Sequence, residues 1–173
     1  MHGAPEGAAE ADVVPTRENV LLYLIERGAV PAEGEATELL RAFAQLQASD
    51  LYVARAAAHL EISRRTLSRR FRAAHLPTPK QWLALARALH AHRIILRGGC
   101  LKHAAISAGY ADQFTMSNAI HRIAGLRPSE LRNVHWTELL DVWIARQREH
   151  GTLTGPPAPE VPTCPLCGTA RAC

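Results

Sequence analysis

One pattern occurs twice in this chain. A short alanine-rich segment, a tight turn and a polar-capped segment with one apolar face follow each other in VARAAAHLEISRRTLSRRF (53–71). The same order returns from Leu101 in LKHAAISAGYADQFTMSNAIHRIAGLRPSELR. Alanine at the contact lets two short helices lie close together, and Ser63 and Asp112 carry side-chain oxygens that accept from the free N–H groups at a helix start. The turn of the first unit falls at Glu61–Ile62 and that of the second at Gly109. On a 100° wheel Leu67, Phe71 and Ala74 share one face of the first capped helix, and Met116, Ala119, Ile120 and Ile123 share one face of the second. Between the units, Thr78 to Leu96 reads as one helix of nineteen residues, with apolar surface from Trp82, Leu83, Leu85, Ala86, Leu89, Ile94 and Leu96 for both. No stretch alternates convincingly with period two. The expected fold is all-α: two helix-turn-helix subdomains joined by a long linker helix, with flanking N- and C-terminal helices.

The flanks follow from caps and breakers. Thr16 is placed to cap a helix with Glu18 in its first turn and an apolar body from Val20 to Ile25, stopped at Gly28 and Pro31. A second helix is expected from Glu35 to about Ala48, with Leu39, Leu40, Phe43 and Leu46 at helical spacing. After a turn at Gly125 to Pro128, Trp136, Leu139, Leu140, Trp143 and Ile144 recur at i, i+3, i+4, i+7 and i+8, the stripe of an amphipathic helix. The expected boundaries are a disordered leader over 1–15, an N-terminal helix and linker over 16–34 and a main domain over 35–135. Within that domain the units fall at about 53–75 and 101–124 and the linker helix at about 78–97. A C-terminal helix over 136–150 and a disordered tail over 151–173, marked by Pro156, Pro157, Pro159 and Pro162, complete the chain. Lone amphipathic helices are unstable, so both flanking helices are expected to dock on the core; the other use for them is a patch for a second copy or for RNA polymerase.

Length and composition exclude other classes. At 173 residues there is room for one domain with tails, and 47% hydrophobic against 21% charged residues supports a real core. The longest aliphatic and aromatic run, Val20 to Ile25, is too short to span a bilayer, and no basic flank with a small-residue cleavage site opens the chain. A cytoplasmic location without membrane contact is expected. Cys164-Pro165-Leu166-Cys167 resembles half a zinc knuckle, but a structural site needs four ligands and only Cys173 is near. These three are weak candidates, and the expectation is no metal. His90 and His92 do not share a helix face, and no Ser/His/Asp set, phosphate loop or HExxH occurs, so neither an enzyme nor a cofactor is expected.

Charge points to a partner. Met1 to Glu61 holds ten acids and four bases, and Asp112 to Cys173 holds six of each. Ile62 to Ala111 holds ten bases and no acid: Arg64, Arg65, Arg69, Arg70, Arg72, Lys80, Arg87, Arg93, Arg97 and Lys102. A solvated helix face normally intersperses Glu for pairing. Fifty residues without a carboxylate suit a polyanion, because each neutralised phosphate releases counterions. Opposite the apolar face of the first capped helix lie Arg65, Ser68, Arg69 and Arg72, flanked by Arg64 and Arg70. Guanidinium groups meet guanine bidentately in the major groove, with phosphate contacts on either side. The second capped helix presents Phe114, Ser117, Asn118, His121 and Arg122, with Gln113 at its start. Amides suit adenine and a phenyl ring meets the thymine methyl, but this face is far less basic.

From about Leu39 to Arg132 the chain resembles the DNA-binding domain of AraC/XylS-type bacterial transcription regulators, which join two helix-turn-helix units through a long helix. The matching residues are Ser63, Leu67, Arg69 and Phe71, then Arg87 in the linker, then Gly109-Tyr110-Ala111-Asp112-Gln113 with Gly125, Pro128 and Arg132. The resemblance implies a regulator of transcription that binds double-stranded DNA as a monomer or homodimer. It implies base contacts from Arg65, Ser68 and Arg69 in the first unit and from Gln113, Phe114, Ser117 and Asn118 in the second. The basic residues Arg64, Arg70, Arg72, Lys80, Lys102, His121 and Arg122 are the expected phosphate contacts. Departures stand at Asn118, where the family usually has Arg, at Thr115 and Met116 in place of an aromatic pair, at Ile120 for Phe and at Leu76 for Gly. They imply a second unit that packs adequately but reads DNA weakly or with altered preference. The roughly 40 residues before the domain leave no room for the jelly-roll domain many relatives carry, since sandwich domains need about 100. The rival reading is a protein-interaction module derived from such a regulator, with DNA reading weak or lost.

Overall fold

Paired alanines set how closely the short helices approach. The structure, a computed structural model, describes residues 16–47 and 50–153. Its α-helices are α1 (Arg17–Glu26), α2 (Glu35–Ala44), α3 (Val53–His59), α4 (Arg64–Ala73), α5 (Pro79–Leu96), α6 (Leu101–Ser107), α7 (Gln113–Ala124) and α8 (Trp136–Glu149), and a 3-10 turn covers Glu130–Asn133. No strand occurs among the described residues. Ala56 and Ala57 of α3 and Ala104 and Ala105 of α6 are buried, so each short helix seats its backbone against a neighbour. Helix starts follow the caps: Thr16, Ser63 and Asp112 accept from Asn19, Thr66 and Thr115 N–H. Thr78 and Gln81 form a reciprocal capping box ahead of Pro79. Cys100 adds a sulfur cap to α6, accepting from His103 N–H.

Both turns use one left-handed residue. Tyr110 N–H reaches back to Ala105 O and Ile62 N–H to Ala57 O, closing α6 and α3 in the same way. At Gly109, φ is 75°, and a Cβ there would meet the Tyr52 hydroxyl at 3.1 Å. The corresponding residue of the first unit is Glu61, held at φ 54°. A side chain in this region costs about 1–2 kcal/mol, so burial on either side of the first turn must offset it.

Helix α5 is the shared spine: α3 and α4 pack on it from the first unit, and α6 and α7 from the second. Leu85, Ala88, Ala91 and Ile95 are almost wholly buried along it. His92 is buried there too, its Nε2 lying 3.1 Å from Leu131 O and 2.9 Å from Val134 O. Carbonyls only accept, so Nε2 carries the proton and donates to both, while buried Nδ1 has no partner. The imidazole thus pins the 3-10 turn, absent from the sequence expectation, onto α5. Burial pushes His92 below its ordinary value of 6.5, and burial with nearby Arg17 and Arg93 does the same to His90. The unfolded chain therefore takes up these protons first, and stability falls as pH drops through the unfolded value. The urea midpoint should be lower at about pH 5 than at about pH 7, and the drop should be shallower in His92→Gln. An equal drop in the variant would remove His92 from this account.

Both flanking helices dock. Asp141 of α8 accepts from the Tyr23 hydroxyl at 2.8 Å and from Arg27 at 2.6 Å, while Tyr23 packs edge-on against Trp136. Trp143 meets Trp82 of α5 with ring centroids 4.8 Å apart, and Gln81 donates to Gln147. Two boundaries differ from expectation. Helix α2 ends at Ala44 rather than near Ala48, because Gln45 and Leu46 N–H tighten to Ala42 and Phe43 O and turn Leu46 into the core. Residues 151–153, expected in the tail, are tied to α8: the Thr152 hydroxyl donates to Gln147 O and Leu153 is buried. The rest of that tail, with Cys164, Cys167 and Cys173, and the leader 1–15 lie outside the described residues.

Candidate nucleic-acid interface

Helix α4 is amphipathic with an unusual polar side. Leu67 and Phe71 are buried, and Phe71 packs against Phe43 of α2 at 5.0 Å between centroids. Arg64, Arg65, Ser68, Arg69 and Arg72 are exposed, and α4 carries no acid. Among the described residues none of these arginines forms an ion pair, so four guanidinium groups face water with their donors free. Arg70 differs. Its Nε donates to Glu35 Oε1 at 2.7 Å, tying α4 to the start of α2, a bond between residues 35 apart in the chain. In this structure Arg70 therefore holds two helices together, whereas the sequence placed it on the phosphate-facing flank.

In the second unit, Met116 and Ile120 of α7 are buried and Gln113, Phe114 and Asn118 are exposed. Phe114 leaves 75% of its surface in solvent, an unfavourable position for a phenyl ring unless something else covers it. The Ser117 hydroxyl is half-buried and donates to Gln113 O at 2.8 Å, which leaves its lone pairs for an outside donor. The Thr115 backbone N–H, with its hydroxyl and Phe114 N–H, holds the capping Asp112 carboxyl below its ordinary value, so the cap is ionised at neutral pH. His121 and Arg122 are exposed at the other end of α7, where Arg146 of α8 donates to Arg122 O at 2.6 Å and caps the helix. Lys80 and Lys102 stand exposed in the first turns of α5 and α6. Cations there oppose the helix macrodipole, so helix stability does not explain their placement.

Arg87 connects the two units. From α5 its Nε donates to Ala108 O at 2.9 Å and its Nη2 to Gly109 O, binding the end of α6 and the second turn. Its guanidinium lies 4.0 Å from the Tyr110 ring centroid and 5.3 Å from that of Tyr52. Tyr52, which opens α3 in the first unit, also donates to Gly109 O at 2.8 Å. The sequence marked Arg87 as one base of the acid-free stretch and as a matching residue, and gave no sign of Tyr52; an Arg on a helix flanked by two distant tyrosines gives no periodic signal.

Two such units sharing one central helix define a tandem helix-turn-helix protein. Residues 56–133, a little under half of the chain, match the family model described as "Helix-turn-helix domain". This stretch is a helix-turn-helix domain of the AraC type, a DNA-binding domain of transcription regulators. The match runs from within α3 to the end of the 3-10 turn and takes in both units and α5. Neither the curated proteins nor the solved structures gave a match. Among the described residues no helix is long and apolar enough to cross a membrane.

Proposed function

We propose that the protein is a sequence-specific regulator of transcription that sets α4 and α7 into successive major grooves of one DNA duplex. The observation that carries this reading is the acid-free outer face of α4, with Arg65, Ser68 and Arg69 exposed between Arg64 and Arg72. In this arrangement Arg65, Ser68 and Arg69 read bases in one groove, and Gln113, Phe114, Ser117 and Asn118 read them in the next. Arg64, Arg72, Lys80, Lys102, His121 and Arg122 take phosphates, and Arg70 joins them through the Nη groups its ion pair leaves over. The 18 residues of α5 span about 27 Å, against a groove repeat of about 34 Å, and bending of the duplex makes up the difference. A monomer spans both half-sites in this way, and a homodimer doubles them. The flanking helices leave outer surface for RNA polymerase.

Anisotropy titrations with a duplex from the promoter of the protein's own gene test the reading. About seven phosphate contacts predict a slope of log affinity against log salt near −6. Arg65→Ala or Arg69→Ala should cost about 1–3 kcal/mol and relax preference at one base pair, whereas Arg72→Ala should weaken all duplexes alike and flatten the slope by about one. Affinity that barely moves with salt, or specific DNA that competes no better than bulk DNA, would replace this reading with the protein-interaction module.

A further inference from the structure

An apolar cavity of about 100 Å3 opens between α1, α2 and α5, and none of the residues assigned to DNA lines it. Leu21, Leu24, Leu40, Phe43, Leu85 and Leu89 form its walls, while Arg17, His90 and Arg93 are its basic lining; no acid lines it. These three basic groups crowd one another. Burial, then the charge of Arg93, lowers the proton affinity of Arg17. Arg17 also occupies the first position of α1, where a cation opposes the macrodipole. Its Nη1 donates to Ala44 O at 3.2 Å, which caps α2 and occupies one of five donors. Neither Arg17 nor Arg93 forms an ion pair among the described residues. Two half-buried arginines at the edge of a leucine-walled space, without a counter-charge among the described residues, are a local cost that a bound anion would remove.

We propose that this cavity binds a small apolar monocarboxylate, with its hydrocarbon body between the leucines and its carboxylate on Arg17 and Arg93. An apolar cavity of about 150 Å3 holds benzene, so this smaller space, open on one side, suits a short alkyl chain whose head group stays at the mouth. A guanidinium matches a carboxylate with paired donors, which neither an alcohol nor an ammonium ion exploits. Binding clamps α1 to the central helix, and the inference does not rest on the DNA reading.

Calorimetric titration of the full chain with hexanoate, hexan-1-ol and hexylammonium tests it. Hexanoate should bind saturably, hexan-1-ol about tenfold more weakly or worse, and hexylammonium not at all. Arg93→Gln should weaken hexanoate by about tenfold while leaving hexan-1-ol unchanged. Ala86→Leu, which fills the cavity, should abolish both. Saturating hexanoate should raise the melting temperature of the unmodified chain by a few degrees and that of Ala86→Leu not at all. Acid and alcohol binding equally, hexanoate affinity unmoved in Arg93→Gln, or no saturable binding in the millimolar range would each overturn the proposal.

Discussion

Phe71→Ala should destabilise the protein by about 3–5 kcal/mol, the range for truncating a buried aromatic where the surroundings cannot collapse. The ring is 1% exposed and stands between α4 and α2, tilted against Phe43. Removing it empties the contact that seats α4 and leaves the Arg70–Glu35 ion pair, both of whose ends are partly in water, as the main remaining tie between those helices. Urea unfolding followed by circular dichroism reads the effect as a lower midpoint at unchanged slope. Phe71→Leu, which keeps most of the volume, should lose no more than about 1.5 kcal/mol. A loss under about 1 kcal/mol for the alanine variant would mean that the site collapses freely and that α4 is held by something else.

Arg87→Ala should cost about 2–4 kcal/mol and weaken both units together. It deletes charge-assisted donors to two backbone carbonyls, each worth roughly 1.5–3 kcal/mol but not additive, and a stacked cation between two tyrosine rings. Arg87→Lys should restore less than half of that loss, because a single ammonium cannot reach Ala108 O and Gly109 O while lying flat on Tyr110. Tyr52→Phe removes the other donor to Gly109 O. Combined with Arg87→Ala it should show a coupling of about 0.5 kcal/mol or more, since the two side chains share an acceptor and a stacking contact. Strict additivity would show that the two units are joined through α5 packing alone.

What the chain reveals before folding is whatever is local. Thr16, Ser63 and Asp112 announce helix starts because a cap acts within three residues. The stripes that carry Leu67 and Phe71, and Met116, Ile120 and Ile123, announce buried faces because helical spacing is regular. The exposure of the α4 arginines follows directly from the burial of Leu67 on the other side. The features that escaped depend on residues far apart in sequence. Glu35 meeting Arg70, His92 holding the carbonyls of Leu131 and Val134, and Arg87 joining Tyr52 to Gly109 all need the tertiary fold first. Glu61 in the left-handed region escaped for a different reason: the usual marker of such a turn is glycine, and the first unit lacks it.

The single continuous spine has a consequence for how such a chain tolerates change. Substitutions on the outer side of α5 leave its course alone, but one inserted or deleted residue would swing everything downstream by about 100° and shift it by about 1.5 Å. That rotation would pull Arg87 off the second turn or His92 off the 3-10 segment, and would aim the two outward faces at different sides of any common target. The length of this helix is therefore far less free to drift than its composition.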